Sequence, residues 1–210
     1  MSDYEPGSGL FIGLTGGIGS GKSTVAAHIA QRHPVLHADE IARLCMLDDG
    51  QVRDDLRRVF GEQVYLSDGG LNRTWLAEVV FNDSDKLAKL NAIVHPPTHT
   101  RILAEAQRLF SEGARMVFVE SALIYEARLD EDFDYVVTVL TDPEIAVGRI
   151  MERDGVSAAA VRDRMRHQLA PEEKADLADF TIRNSGTVEE MLRAADIILT
   201  MLSALRRRRP

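Results

Sequence analysis

The chain has 210 residues, 45% of them hydrophobic and 28% charged, and a net charge of −8. That length accommodates one domain of moderate size with a small insertion. The negative balance argues against whole-molecule attraction to nucleic acid, and no apolar run approaches the roughly 20 residues that a bilayer span requires.

In chain order, the acidic, polar start "MSDYEPGSG" reads as neither a signal peptide nor an Arg-rich transit peptide. "LFIGLT" (10–15) predicts a buried strand, and after a run of glycines a helix carries Val25, Ala26, Ile29 and Ala30. "PVLHAD" (34–39) predicts a second short strand followed by the helical "EIARLCML". The lone cysteine, Cys45, excludes an internal disulfide and fits a reducing, cytoplasmic setting; among Leu44, Met46 and Leu47 it reads as a buried thiol.

Residues 71 to 112 read as consecutive helices without a strand, a helical insertion over one side of the sheet. Trp75, Phe81 and Leu90 are core positions there, and His95 before Pro96-Pro97 is a possible helix end. "RMVFVES" (115–121), "YVVTVL" (135–140) and "DFTIRN" (179–184) are further strands, so the chain predicts an α/β fold with a mainly parallel five-stranded sheet. Asp142 and Pro143 have the chemistry of an N-cap and first helical residue. Residues 149 to 174 form a charged helical flap holding Arg149, Arg153, Arg162, Arg164, Arg166 and Lys174, and three arginines as closely spaced as 162, 164 and 166 cannot all face one site. Thr187 and Glu190 have capping-box spacing. The tail Arg206 to Arg209 reads as a solvated cationic end to the last helix, where positive charge suits the helix dipole.

The segment with the most chemical content is "GLTGGIGSGKSTVA" (13–26), in which Gly16 and Gly21-Lys22-Ser23 fit G-x-x-x-x-G-K-[ST]. Glycines let successive backbone N–H groups turn inward round phosphate oxygens, and the following helix adds the positive end of its dipole. Gly17, Ile18, Gly19, Ser20, Gly21, Lys22, Ser23 and Thr24 therefore form a stretch for a nucleoside triphosphate, which the resemblance named below makes ATP. Lys22 is placed to reach the β- and γ-phosphates, and the Ser23 hydroxyl to ligate Mg²⁺. Asp39 falls at the carboxyl end of the second predicted strand, where functional groups of open α/β sheets gather. It can accept a proton from an attacking hydroxyl or hold Mg²⁺ through water; the competing structural role is to cap a helix beginning at Glu40.

The ordered set of motifs resembles the dephospho-CoA kinases, which transfer the γ-phosphate of ATP to the ribose 3′-hydroxyl of dephospho-CoA in the last step of coenzyme A synthesis. The resemblance runs from about Leu10 to Gly186: the glycine-rich loop, "HADEIAR", "GGLNRTWLAEVVF", "LNAIVHP", "ALIYE" with Glu126, "RIMERDG" and "HQLAPEEKADLADFTIRNSG". It implies a three-layer P-loop fold with a nucleotide-binding core (1–61, 113–142, 179–210), a helical CoA-binding domain (62–112) and a helical lid (143–178). It implies Asp39 as the base, with Lys22 and Arg149 also catalytic, and Arg153 and Asn184 on ATP, Asn184 near the adenine. It implies Arg43, Arg73, His95 and Glu126 on the substrate, ATP and Mg²⁺ as cofactors, and no nucleic-acid or membrane partner. The chain departs from the family at His37, where an aspartate is usual, at Glu120, also usually aspartate, and at Ala122, usually proline. Glu120 retains the carboxylate needed to hold water on Mg²⁺, with a longer reach. The alternatives are another small-molecule kinase of the same architecture or a P-loop ATPase or switch.

Overall fold

The computed structural model describes residues 9–81, 83–166 and 168–205, without the Phe81 side chain. The expectations for the N-terminal residues 1–8, for Phe81 as core and for the arginine tail lie outside these described residues. β1 (Leu10–Thr15) is buried at all six positions, as expected of a central strand covered on both faces. It pairs in parallel with β3 (Met116–Glu120) and with β4 (Tyr135–Leu140), and β4 pairs in parallel with β5 (Phe180–Arg183). With β2 (Val35–His37) at the other edge, the order is β2-β3-β1-β4-β5. The sheet thus joins the five segments expected, in an order that the sequence did not disclose.

The helices that follow are α1 (Lys22–Ile29), α2 (Ala38–Asp48), α3 (Gly50–Phe60), α4 (Arg73–Phe81), α5 (Ser84–Ser111), α6 (Pro143–Asp154), α7 (Ala158–Met165), α8 (Pro171–Leu177) and α9 (Val188–Ser203). Asp142 accepts a hydrogen bond from Glu144 N at the head of α6, and Thr187 and Glu190 form the expected reciprocal box on α9. One boundary differs from expectation. β2 stops at His37, which is itself the N-cap position, so Asp39 neither ends the strand nor caps the helix but sits in the first turn of α2. Two carboxylates there, Asp39 and Glu40, are favoured by the positive end of the helix dipole.

By contact the chain falls into two units, His37–Glu105 and the remainder. One core lies in the remainder: Ile12 and Leu14 of β1, Val25 and Ile29 of α1, Val137 and Val139 of β4, and Met191 and Leu199 of α9. In the second unit Val52 and Leu56 of α3 pack with Val64, Tyr65, Leu76 and Val94, and Trp75 and Leu90 pack against them. That shared core groups α2 and α3 with the later helices, whereas the sequence reading began the helical insertion at 71 and the resemblance implied a helical domain from 62. Cys45 is buried, as expected. Among the described residues no helix is long and apolar enough to cross a membrane.

Pro96 and Pro97 do not end a helix: α5 runs through both. Each proline removes an N–H and crowds the carbonyl four residues earlier, which ordinarily kinks or breaks a helix. Here Thr98 Oγ1 donates to Val94 O at 2.7 Å and Thr100 Oγ1 to Pro96 O at 3.0 Å, each side chain bonding back to the carbonyl one turn earlier.

Candidate active site

The loop between Thr15 and Lys22 has its shape imposed from outside. Gly19 and Gly21 have φ of 77° and 93°, in the left-handed region that side chains disfavour. A Cβ at Gly19 would come within 2.7 Å of Ala146 O on α6, and one at Gly21 would collide with the Asn184 carboxamide. Gly17, by contrast, faces open space apart from Gln168. The loop is therefore pressed between α6 and the end of β5, with its Gly17 side open, and it runs directly into the N-terminus of α1. Successive N–H groups and a helix dipole at one point make an anion-binding site.

Beside it, Lys22 Nζ lies 3.6 Å from Glu120 Oε1, and Ser23 Oγ donates to the same oxygen at 2.9 Å. Glu120 is the last residue of β3, next to β1 in the sheet, so two adjacent parallel strands deliver the loop and the carboxylate to the same edge. A hydroxyl and a carboxylate are hard oxygen ligands of the kind Mg²⁺ takes. That ion characteristically uses one or two protein oxygens and completes its shell with phosphates and water. Among the described residues there is no cluster of three or more His, Cys, Asp or Glu that could hold a metal. The Ser20 hydroxyl, within the loop, is buried without a hydrogen-bond partner among the described residues. The residues present thus fit a magnesium-bound nucleoside triphosphate.

Behind the loop, Asn184 is buried, and its Nδ2 donates to Ser20 O at 2.7 Å. Arg149 of α6 reaches Asn184 Oδ1 and Thr141 Oγ1, each at 3.4 Å, and Thr141 Oγ1 donates in turn to Asn184 O. Arg149 and Asn184 are thereby brought together against the phosphate loop. Arg153 is not; it is exposed and pairs with Asp154 at 2.7 Å. Arg162, Arg164 and Arg166 are likewise exposed, on Glu144, Asp154 and Asp163. Thr24 is exposed in the first turn of α1.

Glu126 is held from two sides: its Oε1 accepts from Leu169 N at 2.7 Å and lies 2.8 Å from Lys174 Nζ. Lys174 is fully buried and also donates to Ala122 O at 2.5 Å. Sequence reading missed Lys174 as anything but part of a charged flap, since its neighbours Glu172, Glu173 and Asp176 are exposed and mark the segment as solvated. It missed Gln168 and Thr141 entirely; no local signal distinguishes an uncharged polar residue that happens to meet a loop.

Asp39, Arg43, Arg73 and His95 lie in the second unit. Asp39 is exposed in the first turn of α2, and Arg43, one turn on, has its Nη2 3.7 Å from Glu40 Oε1. Arg73 opens α4 and is exposed. His95 is half-buried in the middle of α5, and burial pushes its pKa below the ordinary imidazole value.

A lysine and a hydroxyl at the mouth of an anion-binding loop, carried on a 2-3-1-4-5 parallel sheet, are the equipment of a P-loop kinase. The family model of CoaE, dephospho-CoA kinase, matches residues 10–190. The chain belongs to the dephospho-CoA kinase family. It is 38% identical to the dephospho-CoA kinase of Geobacillus kaustophilus over 197 residues, 93% of this chain and 98% of the relative. Among solved structures it is similar to TT1252 from Thermus thermophilus, with 35% identity, a TM-score of 0.79 and coverage of 92% of this chain and 98% of that one. The dephospho-CoA kinase from Campylobacter jejuni is 27% identical with a TM-score of 0.68, covering 92% and 97%.

Proposed function

We propose that the chain phosphorylates the ribose 3′-hydroxyl of dephospho-CoA with ATP, giving coenzyme A and ADP, and that Asp39 is the base. The observation that carries the reading is the convergence of Lys22, Ser23 and Glu120 at the phosphate loop of a chain with this family membership. Phosphoryl transfer asks mainly for positioning and charge neutralisation. The loop's N–H groups and Lys22 hold the β- and γ-phosphates. Ser23, with Glu120 directly or through water, would hold Mg²⁺, which when bound there neutralises charge on the phosphate oxygens. Asp39 takes the proton of the 3′-hydroxyl as that oxygen bonds to the γ-phosphorus, and the bond from phosphorus to the β–γ bridging oxygen breaks, releasing ADP. An exposed carboxylate in the first turn of the helix that follows β2 supports the assignment.

Arg149 supports the loop's inner side and adds positive charge near the nucleotide. Arg43, Arg73 and His95 of the second unit are assigned to the anionic substrate, and Glu126 to holding the segment after β3 in place for it. The segment 143–178 acts as the lid that excludes water during transfer, and the reaction is placed in the cytoplasm. ADP release is to be measured with and without dephospho-CoA, and the product weighed. Acceptor-dependent release with a product one phosphate heavier is expected. Release indifferent to the acceptor would favour an ATPase or switch.

A further inference from the structure

Ile18, in the middle of the phosphate loop, is gripped twice by the segment that follows β4. Its side chain packs into the apolar cluster of Val147 and Ile150 on α6 and Val161 on α7. Its backbone N–H donates to Gln168 Oε1 at 3.0 Å, across 150 residues of chain. Gln168 stands in a connection fixed at both ends. Its own N–H donates to Met165 O at the end of α7, the next residue, Leu169, donates to Glu126, and Glu126 meets the buried Lys174 of α8. The carboxamide oxygen is thus presented to the loop by a braced backbone, not by a free strand of chain. Within the loop the Ser20 N–H donates to Gly17 O at 3.1 Å, whereas the Ile18 N–H finds its acceptor on Gln168.

We propose that Gln168 is a positioning residue for nucleotide binding: its side-chain oxygen holds the Ile18 N–H and keeps the phosphate loop in its phosphate-ready shape before ATP arrives. The physical case is one of population. A glycine-rich loop has many accessible shapes, and apparent affinity falls with the fraction of molecules in the competent one. One hydrogen bond to a part-buried N–H, together with the Ile18 side chain in its cluster, biases that fraction. The opposite role is a placeholder, in which the carboxamide oxygen occupies an N–H that a phosphate oxygen needs and must be displaced by it. The two roles predict opposite signs.

The proposal rests on the loop being a nucleotide site, so the test first measures binding of a non-hydrolysable ATP analogue to the wild-type protein with Mg²⁺ and no acceptor. Gln168→Met keeps the length and volume of the side chain and removes the acceptor. The expected result is a Kd for the analogue weaker by about 5–10-fold, the effect of one lost hydrogen bond to a backbone N–H. The Ile18 amide should exchange faster with solvent in the nucleotide-free variant, with the thermal midpoint otherwise preserved. In turnover KM for ATP should rise while kcat and KM for dephospho-CoA hold, a split that a general loss of structure would not give. An unchanged Kd, or a tighter one, overturns the proposal; the tighter one identifies a placeholder. Failure of the wild-type protein to bind the analogue would instead overturn the kinase reading itself.

Discussion

At the scale of single residues the proposed chemistry turns on two carboxylates, and they are separable by experiment. Asp39→Asn removes a proton acceptor while keeping shape, and an exposed first-turn residue has little packing to lose. The expected outcome is a fall in kcat of about 100-fold or more, in the range of a lost general base. ADP binding and thermal unfolding should be unchanged; retained kcat would remove Asp39 from the mechanism. Glu120→Gln keeps an oxygen for the Ser23 hydroxyl but deletes the charge facing Lys22. The Mg²⁺ concentration for half-maximal activity should then rise about 10-fold or more, as for other changes to groups that position a metal and its ligands. An unaltered magnesium titration would restrict Glu120 to holding Lys22. Glu120 reaches the Ser23 hydroxyl with a direct hydrogen bond, which the linear sequence alone could not indicate.

At the scale of elements, α5 carries the clearest conflict between local preference and final structure. Its 28 residues continue through Pro96 and Pro97, and just beyond them the Thr98 hydroxyl bonds back to the Val94 carbonyl one turn earlier. Thr98→Val is nearly isosteric and Thr98 is buried, so the variant isolates the hydroxyl. A loss of about 0.5–1.5 kcal/mol is expected by urea unfolding, the net worth of one hydrogen bond, since the Val94 carbonyl keeps the backbone N–H of its own helix. An unchanged midpoint would mean that the backbone bond alone satisfies that carbonyl. The pattern of Pro-Pro after His95 is legible as a stop signal because local sterics are local. Val94, just before the prolines, is buried in one core with Val52 and Leu56 of α3, and such packing partners are not written in a local window.

For the molecule as a whole, stability should depend on pH through imidazoles that the fold keeps neutral. Burial pushes His95 below the ordinary value of 6.5, and burial with the neighbouring Arg32 does the same for His33. In the unfolded chain both protonate near that ordinary value, so as pH falls through 6.5 the unfolded state binds more protons and stability declines. Full stability is expected above that pH, with a decline that continues until the folded protein also protonates. Below that range the carboxylates take over: Asp196, held low by its hydrogen bond to His28, loses its contribution as pH falls through its depressed value. Thermal midpoints measured from pH 8 to 5 should fall, and His95→Gln should flatten part of the slope. A midpoint flat across this range would show that neither imidazole is held neutral.

The glycine-rich loop, the Lys22-Ser23 pair, the five strand segments and the caps at Asp142 and Thr187 were all legible in the linear chain. Each is a local pattern whose physical cause spans a few residues: backbone freedom, a dipole, an apolar run, a capping bond. The order of strands, the placement of Glu120 on Ser23, the burial of Lys174 against Glu126 and the hold of Gln168 on Ile18 were decided only by the tertiary structure. Those contacts join residues 48 to 150 positions apart, and whether a charged or polar side chain ends in solvent or beneath a helix depends on the packing around it. The phosphate-loop motif is therefore legible in the sequence, while the support for that loop exists only once the sheet has brought its distant segments together.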